Sequence, residues 1–130
     1  MKQGLVVRGR VFSGRGEGEF FVSLYAKNIA KAVGYTPYPG TLNVALEPKY
    51  ISIARKALDR RLAVIVEPPL KGFCRIYLWR AAIQSIEVHV VKPEVSHYGD
   101  DVIEVIAPIP LRKVLMLGDG DPVEILLMLE

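Results

Sequence analysis

The sequence lacks the features that define several classes of protein. Its 130 residues contain one cysteine, Cys74, which excludes an internal disulfide and any metal site built from several cysteines. No stretch approaches the roughly 20 apolar residues that a membrane-spanning helix needs. The segment Met1–Leu5 has neither the apolar region nor the cleavage site of a signal peptide. We therefore expect a cytoplasmic protein that does not associate with membranes.

The composition predicts a folded protein with one domain. Hydrophobic residues make up 51% of the chain, and no interior linker marks a second domain, so residues 1–130 are expected to share one core. The net charge of +3 and the pI of about 9.1 favour an anionic partner. Because the basic residues are scattered, a nucleotide, a flavin phosphate or a nucleic acid would suit this charge equally well.

Short apolar or alternating runs, separated by Gly, Pro and Asp, predict a mainly β protein. The predicted strands are Leu5–Ser13, Glu19–Tyr25, Leu42–Glu47, Leu62–Val66, Phe73–Trp79, Ala82–Val91, Val102–Ile106 and Val123–Leu129. Short helices are predicted over Ala26–Val33, ended by Gly34, and over Ser52–Arg60. The segment Pro110–Leu115 is typical of a single helical turn that begins with proline. Many strands and few helices at this length indicate a small β-barrel.

A glycine-rich segment, Ser13–Phe21, has glycine at every second position from Gly14 to Gly18. Glycine permits positive φ and lets a ligand approach the backbone N–H groups, which can form a nest for a phosphate. A hairpin turn between two strands explains the same pattern. The segment matches neither the Walker loop nor the dinucleotide-binding motif G-x-G-x-x-G.

A second segment, Pro37–Asn43, places the hydroxyl of Thr41 two residues before the amide of Asn43. On an extended strand this spacing puts both oxygens on one face, where they could bind a hard cation such as Mg²⁺. The alternative is a rigid proline turn that leads into a strand.

Three other features favour structural interpretations. The segment Gly118–Pro122 lacks the downstream glutamate of a calcium-binding loop, so it is predicted to be a turn between the last two elements. His89 alternates with valines and is expected to face solvent or to lie in a satisfied polar site. His97 has no patterned partner, and Cys74 is expected to be a buried, inert thiol.

Motifs spread along the chain, from about Val6 to Leu127, resemble those of the archaeal CTP-dependent riboflavin kinases. The matching segments are Gly14–Phe21, Pro37–Asn43, Ile103–Pro108 and Leu111–Arg112. The resemblance implies a six-stranded cradle-loop β-barrel that transfers the γ-phosphoryl group of CTP to the 5′-hydroxyl of riboflavin, giving FMN and CDP. Some members carry an N-terminal winged-helix domain, and we expect none here.

The resemblance also implies a set of site residues. It places Mg²⁺ on Thr41 and Asn43 and the flavin near Ser96 and Glu104. It places the nucleotide against Arg15, Gly16, Glu17, Gly18, Glu19, Phe20, Ile109, Pro110, Leu111 and Arg112. Backbone groups of Ile109–Arg112 could form hydrogen bonds with the donor and acceptor edge of cytosine, and the edge of adenine does not match them.

Phosphoryl transfer requires positioning, charge stabilisation and a base near the attacking hydroxyl. Glu104 is the candidate base, although its position between Ile103 and Val105 on a predicted strand equally suits a solvent-facing charge. The alternative carboxylates are Asp100, Asp101, Glu17 and Glu19.

Two other functions compete with the kinase hypothesis. One is a nucleic-acid-binding barrel, with aromatic side chains as stacking platforms. The aromatic residues concerned are Phe20, Tyr25, Tyr35 and Tyr38. The other is a regulatory module that binds nucleotide or flavin without turnover, and the presence of Thr41 and Asn43 argues against it.

Overall fold

The described residues of this protein form one sheet of seven antiparallel strands. The computed structural model describes residues 4–129. The strands are β1 (Gly4–Phe12), β2 (Leu42–Leu46), β3 (Val64–Val66), β4 (Ile76–Ile83), β5 (Ile86–Pro93), β6 (Val102–Ile106) and β7 (Pro122–Met128). The helices are α1 (Gly18–Val33), α2 (Pro48–Ala57) and α3 (Leu111–Val114), with a 3₁₀ turn at Arg60–Leu62. None of the described helices is long and apolar enough to cross a membrane.

The sheet closes on itself through β4. The strand order is β3-β4-β5-β6-β2-β1-β7, and β7 also pairs with β4. The edge of β4 that does not pair with β5 is shared by two strands. Ile76–Leu78 pair with β3, and Ala81–Ala82 pair with β7. Six strands therefore form a closed ring and β3 extends it, which confirms the prediction of a small, mainly β barrel.

Two hydrophobic clusters lie on the two sides of the sheet. The inner cluster includes Tyr77 and Trp79 of β4, whereas Ile76 and Leu78 of the same strand belong to the outer cluster. Helix α1 covers the outer cluster with Val22, Tyr25 and Ile29. Because both faces of this part of β4 are buried, its sequence is a continuous apolar run rather than an alternating one.

The prediction of a strand over Glu19–Tyr25 is wrong, because this segment is the first half of α1. Its aromatic and β-branched residues favour a strand locally, but the buried positions Val22, Tyr25 and Ile29 follow the spacing of a helix face. The predicted helix Ala26–Val33 is the second half, and Gly34 ends it with a φ of 88°, as predicted.

Other element boundaries also differ from the predictions. Strands β4 and β5 meet at Gln84 and Ser85, two non-glycine residues with φ of 47° and 68°, so the break lies later than predicted. Cys74 falls outside β4 and is only partly buried. The second predicted helix begins earlier, at Pro48, because proline suits the first helical position.

His89 occupies a satisfied polar site within the fold. Its side chain is 3% exposed, and Nδ1 lies 2.9 Å from the hydroxyl of Tyr35. Of the two positions expected for His89, the structure therefore has the buried one. Of the four aromatic residues considered as nucleic-acid stacking platforms, Tyr25 is buried and Tyr35 is partly buried with its hydroxyl against His89.

Candidate functional site

Three adjoining cavities form a groove across one region of the barrel. The large cavity has a volume of about 460 Å³, the loop cavity about 290 Å³ and the α3 cavity about 300 Å³. The loop cavity lies along the glycine-rich segment, and the α3 cavity lies along α3. Thr41 lines all three cavities, and Asn43 lines the large and loop cavities. The Thr41 side chain therefore marks the point where the cavities meet.

The glycine-rich segment leads into α1 and does not form a hairpin turn. A Cβ atom on Gly18 would lie 2.7 Å from Oγ1 of Thr41, and one on Gly14 would collide with the amide of Asn43. Glycine at these two positions therefore lets the segment pack against the polar pair of β2. Gly16 has open space around its Cβ position and a φ of 80°, a conformation that favours glycine.

The first turn of α1 adds unpaired backbone donors to this region. The first helical N–H bonded to a preceding carbonyl is that of Phe21, which donates to Glu17 at 3.0 Å. The N–H groups of earlier residues in the helix have no partner of this kind, because a helix leaves its first N–H groups unpaired. The helix dipole makes this end attractive to anions.

Thr41, Asn43 and Glu104 come together through strand pairing. Strands β2 and β6 place Asn43 directly opposite Glu104, and Thr41 precedes Asn43 by two residues. The hydroxyl of Thr41 donates to Oδ1 of Asn43 at 3.1 Å. Adjacent ligands of an octahedral Mg²⁺ lie about 3.0 Å apart, so this pair of oxygens has a suitable spacing. Thr41 lies directly before β2 and Asn43 lies within it, after a bend at Pro39 and Gly40, so a bend that contains proline and an oxygen pair on one face occur together in this segment.

Glu104 faces the groove and not the bulk solvent. It lines the large cavity, while Ile103 and Val105 on either side of it are buried on the other face of β6. Burial raises the pKa of Glu104 above its usual 4.5, and the nearby Glu17 raises it further. The nearby His97 and the hydroxyl group of Thr41 act in the opposite direction and lower this pKa. The result is a carboxylate that binds a proton more tightly than a solvated one.

The other predicted flavin residue, Ser96, lies in the loop between β5 and β6. Ser96 lines the large cavity and accepts a hydrogen bond from the N–H of Tyr98 at 3.2 Å. In the same loop, Nε2 of His97 lies 3.9 Å from the carboxylate of Glu17. This loop and the glycine-rich segment therefore approach each other across the large cavity.

The alternative carboxylates occupy different places. Asp100 binds Arg55 at 2.9 Å and Lys92 at 3.2 Å, and it does not line the large cavity. Glu17 lines the large cavity and Glu19 lines the loop cavity.

The predicted nucleotide residues divide among the three cavities. Gly16 and Gly18 line both the large and the loop cavities, whereas Arg15 lines only the large one. The α3 cavity contains the predicted stretch Ile109–Arg112, and Arg112 also reaches the loop cavity. Phe20 is 66% exposed and contributes to none of the three cavities described.

Sequence reasoning missed the apolar lining of the large cavity. This lining comes from separate parts of the chain. The residues concerned are Phe21, Tyr25, Phe73, Val95 and Tyr98. The available signal was the exposure of large apolar residues, since Phe73 is 42% exposed and Val95 78% exposed. These exposures are known only from the structure, because the residues are far apart in the sequence.

Comparison with known proteins finds a family model and several relatives that are similar to this chain. A family model named for CTP-dependent riboflavin kinases, and described as domain of unknown function DUF120, matches residues 11–127. A protein of Pyrobaculum arsenaticum named riboflavin kinase is 43% identical over 126 residues, covering 93% of this chain and 60% of that protein. The riboflavin kinase of Aeropyrum pernix is 40% identical over 127 residues, covering 95% and 96%. The chain thus spans about 60% of the length of the Pyrobaculum relative.

The raised pKa of Glu104 predicts a pH-dependent change in stability for Glu104→Gln. Ionisation of this carboxyl is less favourable in the folded state, so at neutral pH it opposes folding. The variant should melt at a higher temperature than the wild type at pH 7. The gain should vanish below the unfolded pKa of 4.5, where Glu104 is protonated in both states.

Thermal melts between pH 4 and pH 8 measure this effect. Glu67→Gln is the control, because the Glu67 side chain is 64% exposed. A Glu104→Gln variant that is destabilised equally at every pH would contradict the assigned environment of this carboxyl.

Proposed function

Because the chain belongs to the CTP-dependent riboflavin kinase family, we propose that it transfers the γ-phosphoryl group of CTP to the 5′-hydroxyl of riboflavin, giving FMN and CDP. The observation that carries this proposal is the position of Thr41 where the three cavities meet. Two substrates that exchange a phosphoryl group must meet end to end with their reacting atoms aligned. A groove with a cavity on either side of one polar junction satisfies this requirement.

The large cavity is the riboflavin site in this proposal. Its volume of about 460 Å³ lies within the usual range for small-molecule sites. Phe21, Tyr25 and Phe73 offer apolar surface to the flat flavin ring. Ser96 and Glu104 provide polar contacts for the ribityl chain. Since Glu104 also lies opposite Asn43, the ribityl end of the flavin would point towards the junction.

The nucleotide occupies the α3 and loop cavities in this proposal. The backbone of Ile109–Arg112 would read the cytosine edge, and the N–H groups of the glycine-rich segment and of the first turn of α1 would hold phosphate oxygens. Arg112 lines both cavities, so its guanidinium can reach the phosphates from the base side.

Thr41 and Asn43 would hold a divalent metal between the two substrates. Their oxygens are 3.1 Å apart and fit adjacent positions of a Mg²⁺ octahedron. When bound, Mg²⁺ supplies positive charge to the phosphate oxygens during transfer. The hydroxyl proton of Thr41 can then turn towards Glu104 in place of Asn43, which keeps the donor paired.

Glu104 would accept the proton of the 5′-hydroxyl. Its carboxylate lines the riboflavin cavity beside the junction, and its raised pKa makes it a stronger base than a solvated glutamate. The segments that carry His97 and Glu17 approach each other across this cavity and would limit the access of water to the reacting atoms once the substrates are bound.

The proposed activity predicts a strong preference for CTP. The purified protein is incubated with riboflavin, Mg²⁺ and each nucleoside triphosphate in turn, and FMN is separated chromatographically. We expect FMN with CTP and little with ATP, because the adenine edge leaves polar groups around Ile109–Arg112 unmatched at about 1–3 kcal/mol each. Equal turnover with ATP would contradict the donor specificity alone. No FMN with any of the four triphosphates would contradict the kinase activity.

The metal assignment predicts that Thr41→Val and Asn43→Leu lose activity but remain folded. Each change removes one oxygen at nearly constant volume, so Mg²⁺ affinity should fall by at least about tenfold. Calorimetric titration of CDP with and without Mg²⁺ measures the metal-dependent part of binding, and a thermal melt checks the fold. If both variants keep near-normal turnover at limiting Mg²⁺, the assignment is wrong.

The phosphate cradle predicts different effects of alanine at two similar glycines. Gly16 and Gly34 both have positive φ, 80° and 88°, and open space at the Cβ position. Alanine at either should cost about 1 kcal/mol of folding free energy. Only Gly16→Ala should weaken CDP binding, because Gly34 ends α1 and lines none of the three cavities. Unchanged CDP affinity in Gly16→Ala would show that Gly16 has a structural role only.

A further inference from the structure

The turn before β7 carries a carboxylate that contacts two parts of the groove. Oδ1 of Asp119 accepts a hydrogen bond from Nη2 of Arg112 at 2.6 Å. Both carboxylate oxygens of Asp119 also accept from the hydroxyl of Ser13, at 2.9 and 3.0 Å. Ser13 begins the glycine-rich segment and Arg112 lies on α3. The Asp119 side chain thus contacts Ser13, which lines the loop cavity, and Arg112, which lines both the loop cavity and the α3 cavity.

This turn is itself held firmly against β1. The N–H of Val11 donates to the carbonyl of Asp121 at 2.9 Å, and the N–H of Gly120 donates to the carbonyl of Val11 at 2.7 Å. Arg10 donates to the carbonyl of Gly120 at 2.8 Å. Asp119 is therefore presented from a fixed backbone, and its contacts constrain Ser13 and Arg112 rather than the reverse.

Resting on the kinase activity proposed above, we propose that Asp119 is a positioning residue for the CTP phosphates, acting by holding the guanidinium of Arg112 beside the loop cavity. The contacts of Arg112 with Asp119 and Ser13 both use Nη2. The remaining donors, on Nε and Nη1, stay available for phosphate oxygens. An arginine held in place before binding loses less conformational freedom when the nucleotide arrives.

The negative charge of Asp119 opposes this effect, because it repels phosphate. The Asp119 side chain is 60% exposed, so water and salt screen its field, and its contact with Arg112 partly neutralises it. The geometry therefore points to a net gain in nucleotide affinity from Asp119. If neutralising Asp119 weakens nucleotide binding, Asp119 is a positioning residue, and if it strengthens nucleotide binding, Asp119 is inhibitory.

The test is Asp119→Asn, an isosteric change, compared with Glu124→Gln. Glu124 is a matched control, because it is also an exposed carboxylate of the β7 region paired with an arginine, Arg8, and it lines none of the three groove cavities. In Asp119→Asn, the KM for CTP and the Kd for CDP should rise about tenfold, equivalent to about 1.4 kcal/mol. The KM for riboflavin should stay unchanged. Asp119→Glu should restore part of the affinity.

Because Asp119 acts through Arg112, the two changes should not be additive. Arg112→Gln should weaken CDP binding at least as much as Asp119→Asn, and the double variant should lose no more than Arg112→Gln alone. Additive losses would overturn the proposal, because Asp119 would then act independently of the arginine. Tighter CDP binding in Asp119→Asn, or a lowered melting temperature with unchanged CDP affinity, would also overturn it.

Failure of this proposal can be told apart from failure of the kinase assignment. The kinase assignment depends on FMN formation by the wild-type protein, whereas the role of Asp119 is measured by CDP binding, which needs no turnover. Wild-type FMN formation with unchanged CDP binding in Asp119→Asn would reject the role of Asp119 alone.

Discussion

The pairing of Asn43 with Glu104 across β2 and β6 is the constraint on which the rest of the groove depends. It fixes a neutral oxygen pair and a carboxylate on one face of the barrel, and Thr41 extends the pair by two residues. The glycine-rich segment can reach this face only without side chains at Gly14 and Gly18, where a Cβ would collide with Asn43 and Thr41. The alternating glycines thus have two functions, close packing at the outer two and a positive φ at the middle one.

The sequence alone predicts the small barrel, the short helix α3 and the segments that form the groove. The prediction is wrong over Glu19–Tyr25, where the local composition favours a strand but the segment forms a helix that packs against the sheet. Only the tertiary context shows that Val22 and Tyr25 cover the outer face of β4. The apolar lining of the large cavity is likewise beyond sequence reasoning, because it comes from α1, the segment before β4 and the β5–β6 loop.

The position of Glu104 illustrates how a barrel accommodates a carboxylate whose ionisation opposes folding. A half-buried carboxylate opposes folding at neutral pH, as its raised pKa shows. Apolar burial in the inner cluster compensates for this cost, since Ile103 and Val105 beside Glu104 belong to that cluster and are almost fully buried. Strained or unfavourable groups of this kind are common at functional sites, where chemistry and not stability determines the residue.

The two arginines near the glycine-rich segment differ in how firmly their side chains are held. Arg112 is held by Asp119 at 2.6 Å and by the hydroxyl of Ser13 at 3.4 Å, so its guanidinium has a defined place before any ligand arrives. Arg15 is exposed and lies on the segment itself, beside the large cavity. Under the proposed activity, a nucleotide site without a Walker lysine would obtain its cationic contacts from other positions, and a fixed arginine would contribute to affinity at little entropic cost. Under the proposed activity, the exposed Arg15 would adjust to phosphate oxygens whose positions change as the phosphoryl group moves, so the two side chains would suit different stages of the transfer.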